Sequence, residues 1–166
     1  MAAVRDWLFG LEGAGITLGL DHIRALLAEL GHPERAFTTV TIAGTNGKGS
    51  VTAMIERGLR AAGCRTGRYI SPHLISIEER VAIGGEPIDT RAFDRAAEVV
   101  RCAAERLESR TSFFEATTAI AFVVFREAGV DVAVLEVGLG GRLDATNAAD
   151  AALAVITNIG LDHQAF

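Results

Sequence analysis

The run Thr41-Ile42-Ala43-Gly44-Thr45-Asn46-Gly47-Lys48-Gly49-Ser50 constrains this chain more than any other segment. It passes from β-branched strand residues through a glycine-rich turn into a lysine and then a helix whose apolar residues Val51, Met54, Ile55 and Leu59 share one face before Gly63 closes it. A helix that starts directly after such a turn aims its unpaired amides and the positive end of its dipole at the turn, which makes an anion site. Glycines let the N–H groups of Asn46, Gly47, Lys48 and Gly49 face inward. Lys48 adds a charge for β/γ-phosphates, and Ser50 offers a hydroxyl to phosphate or Mg²⁺. The run departs from the general phosphate-loop pattern, because Ile42 stands six before Lys48 and Gly49 separates the lysine from Ser50. A plain glycine turn with a solvated lysine is the competing reading, and the flanking strand and helix favour nucleotide binding.

The rest of the chain repeats the same alternation. Leu20, Ile23, Leu26, Leu27 and Leu30 mark a helix stopped by Gly31 and Pro33. Strands are expected at 39–43, 65–70, 131–137 and 153–157, helices at 90–109 and 113–128, and a hairpin at 80–88 turning on Gly84-Gly85. Ser112 and Glu115 have capping-box spacing. Strands separated by helices imply an α/β fold, a mostly parallel sheet flanked by helices. With 166 residues, 49% of them hydrophobic, one packed domain is expected rather than disorder.

A net charge of −5 without a Lys/Arg run argues against nucleic acid or an anionic membrane as partner. No apolar run reaches a bilayer span, and the start of the chain, with Arg5 and Asp6, does not read as a signal peptide, so a cytoplasmic protein is expected. Cys64 and Cys102 have no metal or disulfide spacing and are expected to be small core or half-buried residues.

Ligands of open parallel sheets collect beyond the carboxyl ends of the strands. The segments 44–50, 71–73, 136–147 and 162–163 all follow expected strands and are free to converge. Mg²⁺ needs only one or two carboxylates beside nucleotide phosphates, and Glu136, ending an apolar strand, suits that task. The alternative is that Glu136 bonds the backbone of 138–141. Ser71 before Pro72 is ordinary loop chemistry, a lone His163 is more often structural, and capping accounts for Glu115. Arg142, Asp144, Thr146 and Asn147 fit a ligand loop and a polar turn equally well.

Taken together, GTNGKGS (44–50), SPHL (71–74), ERV (79–81), FFEATTA (113–119), LEVGLGGRLDATN (135–147) and GLDH (160–163) resemble the folylpolyglutamate synthase and dihydrofolate synthase family. The first motif admits any Mur-type amide ligase, whereas SPHL with GGRLDATN points to the folate branch. The resemblance implies a Mur-ligase-like ATP-binding domain of a monomeric, two-domain ligase that joins L-glutamate to dihydropteroate, to folate, or to both, through an acyl phosphate. ATP phosphates would lie on Thr45, Asn46, Gly47, Lys48, Gly49 and Ser50, and Mg²⁺ on Ser71, Glu136 and His163. Lys48, Glu136 and His163 would form the catalytic set. The pterin side would be lined by Leu18, Gly19 and Leu20, by Phe113, Phe114 and Glu115, and by Gly141, Arg142, Leu143 and Asp144. The family's carboxy-terminal domain and a modified lysine beyond GLDH have no counterpart here. Residues 1–166 are therefore expected to be an incomplete ATP-binding domain, the amino-terminal part of such a ligase and inactive alone. A non-catalytic nucleotide-binding fragment and a cell-wall ligase are the alternatives.

Overall fold

Strand β1 (Thr38–Ala43) is β-branched at every position but its last and lies inside a six-stranded sheet, as such side chains favour. The computed structural model describes residues 2–14 and 19–160. The sheet order is β4 (Glu86–Pro87), β3 (Val81–Ile83), β2 (Thr66–Tyr69), β5 (Val132–Glu136), β1 and β6 (Ala151–Ile156). Strands β2, β5 and β6 run parallel to β1, and the hairpin β3 and β4 pairs antiparallel at one edge. The mostly parallel sheet expected from the alternation is therefore present.

Residues of β5 alternate between two apolar layers. Val134 joins Val40 and Ile42 under helix α3 (Lys48–Ala61), which contributes Val51, Ile55 and Leu59. Ala133 and Leu135 face the larger core, centred on helix α5 (Phe113–Glu127). Helix α5 is apolar on nearly every side because it lies between the sheet and helices α1 (Ala2–Gly10), α2 (Asp21–Glu29) and α4 (Thr90–Ala104). Its start is the expected capping box: Ser112 Oγ accepts from Glu115 N, while Glu115 Oε2 accepts from Ser112 N at 2.8 Å. Gly67 of β2 admits the Phe125 ring, which a Cβ there would meet at 2.7 Å.

Several expectations shift. Helix α1 was not expected; it buries Val4 and Leu8, and its Arg5 bridges Glu78 (2.5 Å) and Asp94 (2.8 Å). The 90–109 helix ends at Ala104. Cys64 is half-buried as expected, but Cys102 is exposed on α4, on the face turned away from Phe93, Ala97 and Val100. No helix among the described residues is long and apolar enough to cross a membrane. Leu18 and His163 lie outside the described residues.

Candidate active site

The turn between β1 and α3 is held by the segment that follows β6. Thr45 N donates to Asn158 O and Gly160 N to Thr45 Oγ1, both at 2.9 Å, and Thr157 Oγ1 donates to Asn46 O at 2.7 Å. Gly44 (φ +132°) is required by this brace, since a Cβ there would lie 2.1 Å from Thr157 Oγ1. Asn46 N–H does not face inward as expected; it donates to Asn158 Oδ1 at 2.9 Å. The cradle therefore begins at Gly47, which caps α3 with φ +81°. Lys48 folds its ammonium back onto Gly44 O (2.9 Å) and Thr45 O (3.2 Å).

Glu136 ends β5 beside this turn, because β5 and β1 are register neighbours, with Ile42 opposite Glu136. Its Oε2 accepts from Ser71 N at 3.2 Å, and a Cβ on Gly49 would lie 3.6 Å from the same oxygen. Burial pushes the Glu136 carboxyl above its ordinary value, opposed by the Ser71 N–H, the charge of Lys48 and the Gly49 N–H. The alternative role, tying down residues 138–141, belongs instead to Asp144. Its Oδ2 accepts from Gly138 N (3.0 Å) and Leu139 N (2.9 Å), and its Oδ1 from Thr146 N (3.0 Å) and Thr146 Oγ1 (2.5 Å).

Among the described residues no three His, Cys, Asp or Glu side chains cluster as a metal cage. Glu136 offers a carboxylate beside the β1–α3 turn and Ser71, whose backbone N–H it accepts, carries a hydroxyl, a hard-oxygen donor set that fits Mg²⁺ shared with nucleotide phosphates. His163, the third expected ligand, is among the residues not described.

Two clefts flank this junction. The first, about 430 Å³, takes Gly19, Phe113, Phe114, Glu115, Leu143 and Asp144 from the expected substrate set, together with Ser71. The second, about 640 Å³, takes Thr45 and Lys48, and also Gly141 and Arg142, which face this side. Leu20 packs against the core. Gly138, Leu139 and Leu143 border both clefts, so the 138–144 loop is a shared wall. Glu115 is 3% exposed; among the described residues its Oε1 has no hydrogen-bond partner. Two features escaped the sequence reading. One is the brace from 157–160. The other is Arg80, which borders the first cleft and whose place in the ERV motif carried no role.

Residues 42–166 match the Mur ligase middle domain family. Over 163 residues the chain is 41% identical to a dihydrofolate synthase/folylpolyglutamate synthase of Escherichia coli strain K12, a match that covers 98% of this chain and 38% of that protein. Its structure superposes on E. coli FolC in complex with DHPP and ADP with a TM-score of 0.91 at 40% identity, covering 98% of this chain and 40% of that one. A bifunctional folylpolyglutamate synthase/dihydrofolate synthase with Mn, AMPPNP and L-glutamate bound gives a TM-score of 0.88 at 39% identity, covering 97% and 39%. The chain thus spans well under two thirds of the relatives it matches.

Proposed function

The chain belongs to the Mur ligase middle-domain family, in its folylpolyglutamate synthase and dihydrofolate synthase branch, and we propose that it supplies the ATP and acceptor sites of a ligase joining L-glutamate to dihydropteroate, to a folate, or to both. The observation that carries this reading is the pair of clefts with one common wall, Lys48 lining one and Ser71 the other, with the Glu136 carboxylate accepting from Ser71 N. Such a layout brings a nucleotide and a separate acceptor to a single point.

A carboxylate resists attack by an amine until one oxygen becomes a good leaving group. In the proposed reaction an acceptor carboxylate oxygen attacks the γ-phosphorus of ATP and ADP leaves. The glutamate amine then attacks the acyl carbon, loses a proton, and expels inorganic phosphate. Lys48 exchanges its bonds to Gly44 O and Thr45 O for phosphate oxygens, and the first-turn amides of α3 hold the same anion. Glu136, Ser71 and His163 are the residues that would hold Mg²⁺, which when bound neutralises the phosphate charge. Phe113 and Phe114 offer aromatic faces to a flat heterocycle, and the free oxygen of Glu115 accepts from its ring N–H groups. The family resemblance supports a monomeric, cytoplasmic parent enzyme.

Titration of Mg-ATP into the wild-type chain and Lys48→Ala tests the nucleotide side: a loss of about 10- to 100-fold is expected, the worth of a charge-assisted contact, and equal affinities would overturn it. Competition by dihydropteroate but not by nucleotide-linked sugars separates this reading from a cell-wall ligase.

A further inference from the structure

We infer that Arg80 receives the acceptor's carboxylate in the first cleft, an inference that rests on the acceptor class proposed above. Arg80 closes the 3-10 turn Ile77–Arg80, and its carbonyl accepts from Ile70 N at 3.0 Å. Its side chain therefore leaves the backbone beside Ser71, at the end of β2 nearest Glu136. The residue is 7% exposed and borders the cleft.

The guanidinium is oriented by neutral contacts. Nε donates to His73 Nδ1 at 2.9 Å, and the cation lies over the Phe113 ring, 5.3 Å from its centroid. Arg5, Arg60 and Arg101 each pair with a carboxylate, but among the described residues none lies within ion-pair distance of Arg80. Of the acids lining the same cleft, Asp144 gives both oxygens to its own loop and Glu115 gives Oε2 to Ser112, while Glu115 Oε1 and Glu12 make no ion pair with Arg80. A buried cation without an anion is costly, and a planar N–H fork matches a carboxylate. Arg80 borders the first cleft but not the second, where Lys48 lies, so the anion it awaits is the acceptor rather than the nucleotide. Glu115 Oε1, an acceptor, suits the heterocycle; Arg80, beside Ser71, suits the reacting end.

Calorimetric titration of the 166-residue chain with dihydropteroate and with its methyl ester, without nucleotide, tests the assignment. The wild type is expected to prefer the acid. Arg80→Gln should weaken the acid by about 10- to 100-fold and leave the ester unchanged, and Arg80→Lys should keep part of the preference. Equal loss of acid and ester in Arg80→Gln would assign the residue to packing of His73 and Phe113 and overturn the inference. So would no loss of either. Should Arg80→Gln fail to fold, Arg80→Lys decides: an undiminished acid preference there overturns the inference, and a reduced one supports it. A wild type that binds both ligands equally overturns the Arg80 assignment alone, whereas one that binds neither overturns the acceptor reading and this inference with it.

Discussion

Asp144 holds the wall between the two clefts, and its removal is the sharpest test of that architecture. The residue is 6% exposed, and its carboxylate accepts four hydrogen bonds, from the amides of Gly138, Leu139 and Thr146 and from the Thr146 hydroxyl. Asp144→Ala strands these donors in a site where water has little access. Loss of a buried charge-assisted network of this kind costs about 3–5 kcal/mol. For a chain of this size that corresponds to a fall in Tm of roughly 6–20 °C. The informative variant is Asp144→Asn. Its amide keeps the oxygen facing Thr146 but turns an NH₂ toward Gly138 N and Leu139 N, setting donors against donors. We expect Asn to lose about 2–3 kcal/mol, a large part of the alanine effect. Thermal unfolding followed by circular dichroism at neutral pH measures both variants. An Asn variant that melts within a degree of wild type would refute the reading, because it would mean the loop does not depend on Asp144 accepting on both sides.

Glu136→Gln should raise the Tm of the ligand-free chain by roughly 2–4 °C at neutral pH while abolishing the magnesium dependence of nucleotide binding. Burial raises the Glu136 carboxyl, so its cost is present above its folded-state value and vanishes below the unfolded one; the stability gain should shrink on acidification, and a lowered Tm would contradict this. Gly138→Ala would place a Cβ 2.6 Å from Phe114 Cζ and 3.2 Å from Asp144 Oδ2, so we expect a loss of about 1–3 kcal/mol in denaturant titration and weaker acceptor binding. Arg5→Ala uncovers Glu78 and Asp94, both buried, and should cost about 2–4 kcal/mol. Burial raises the Glu78 carboxyl, but the Arg5 bond and charge, its own backbone N–H and the Thr90 side chain together outweigh it and leave the group below its ordinary value. The resulting stability is present above the unfolded-state value and lost as pH falls through the folded one, so the variant's stability should depend less on pH on the acid side.

The legible parts of the chain were those with local causes. The β1 turn and α3 could be read because glycines, lysine and helical spacing lie within one short run, and α5 because Ser112 and Glu115 state where it starts. Helix α1 carries only Val4 and Leu8 as a buried pair at helical spacing, too short a period to stand out beside its charged Arg5 and Asp6. A second capping box, Ser76 with Glu79, lay unread because no apolar run follows it. Partners distant in sequence left no local trace. Nothing near Arg5 announces Glu78 and Asp94, and nothing near Thr45 announces Asn158 and Gly160. Asp144 reads equally as ligand or turn in the sequence, and only in the fold are its four bonds seen to be internal while it still borders the cleft.

The placement of β5 between β1 and β2 bears on how the molecule is assembled. Strands β1 and β2 follow one another along the chain with only α3 between them, yet they do not pair; each pairs with β5, Thr41 with Leu135 and Tyr69 with Leu135 from the other side. A nascent chain that has made α3 and β2 thus holds an open slot with unpaired edges on both sides until Val132–Glu136 emerges to fill it. Such late, non-local closure is slow and leaves strands open to association with other chains. The strand that fills the slot also carries Glu136, so the carboxylate beside the β1–α3 turn reaches its place only when this non-local pairing forms.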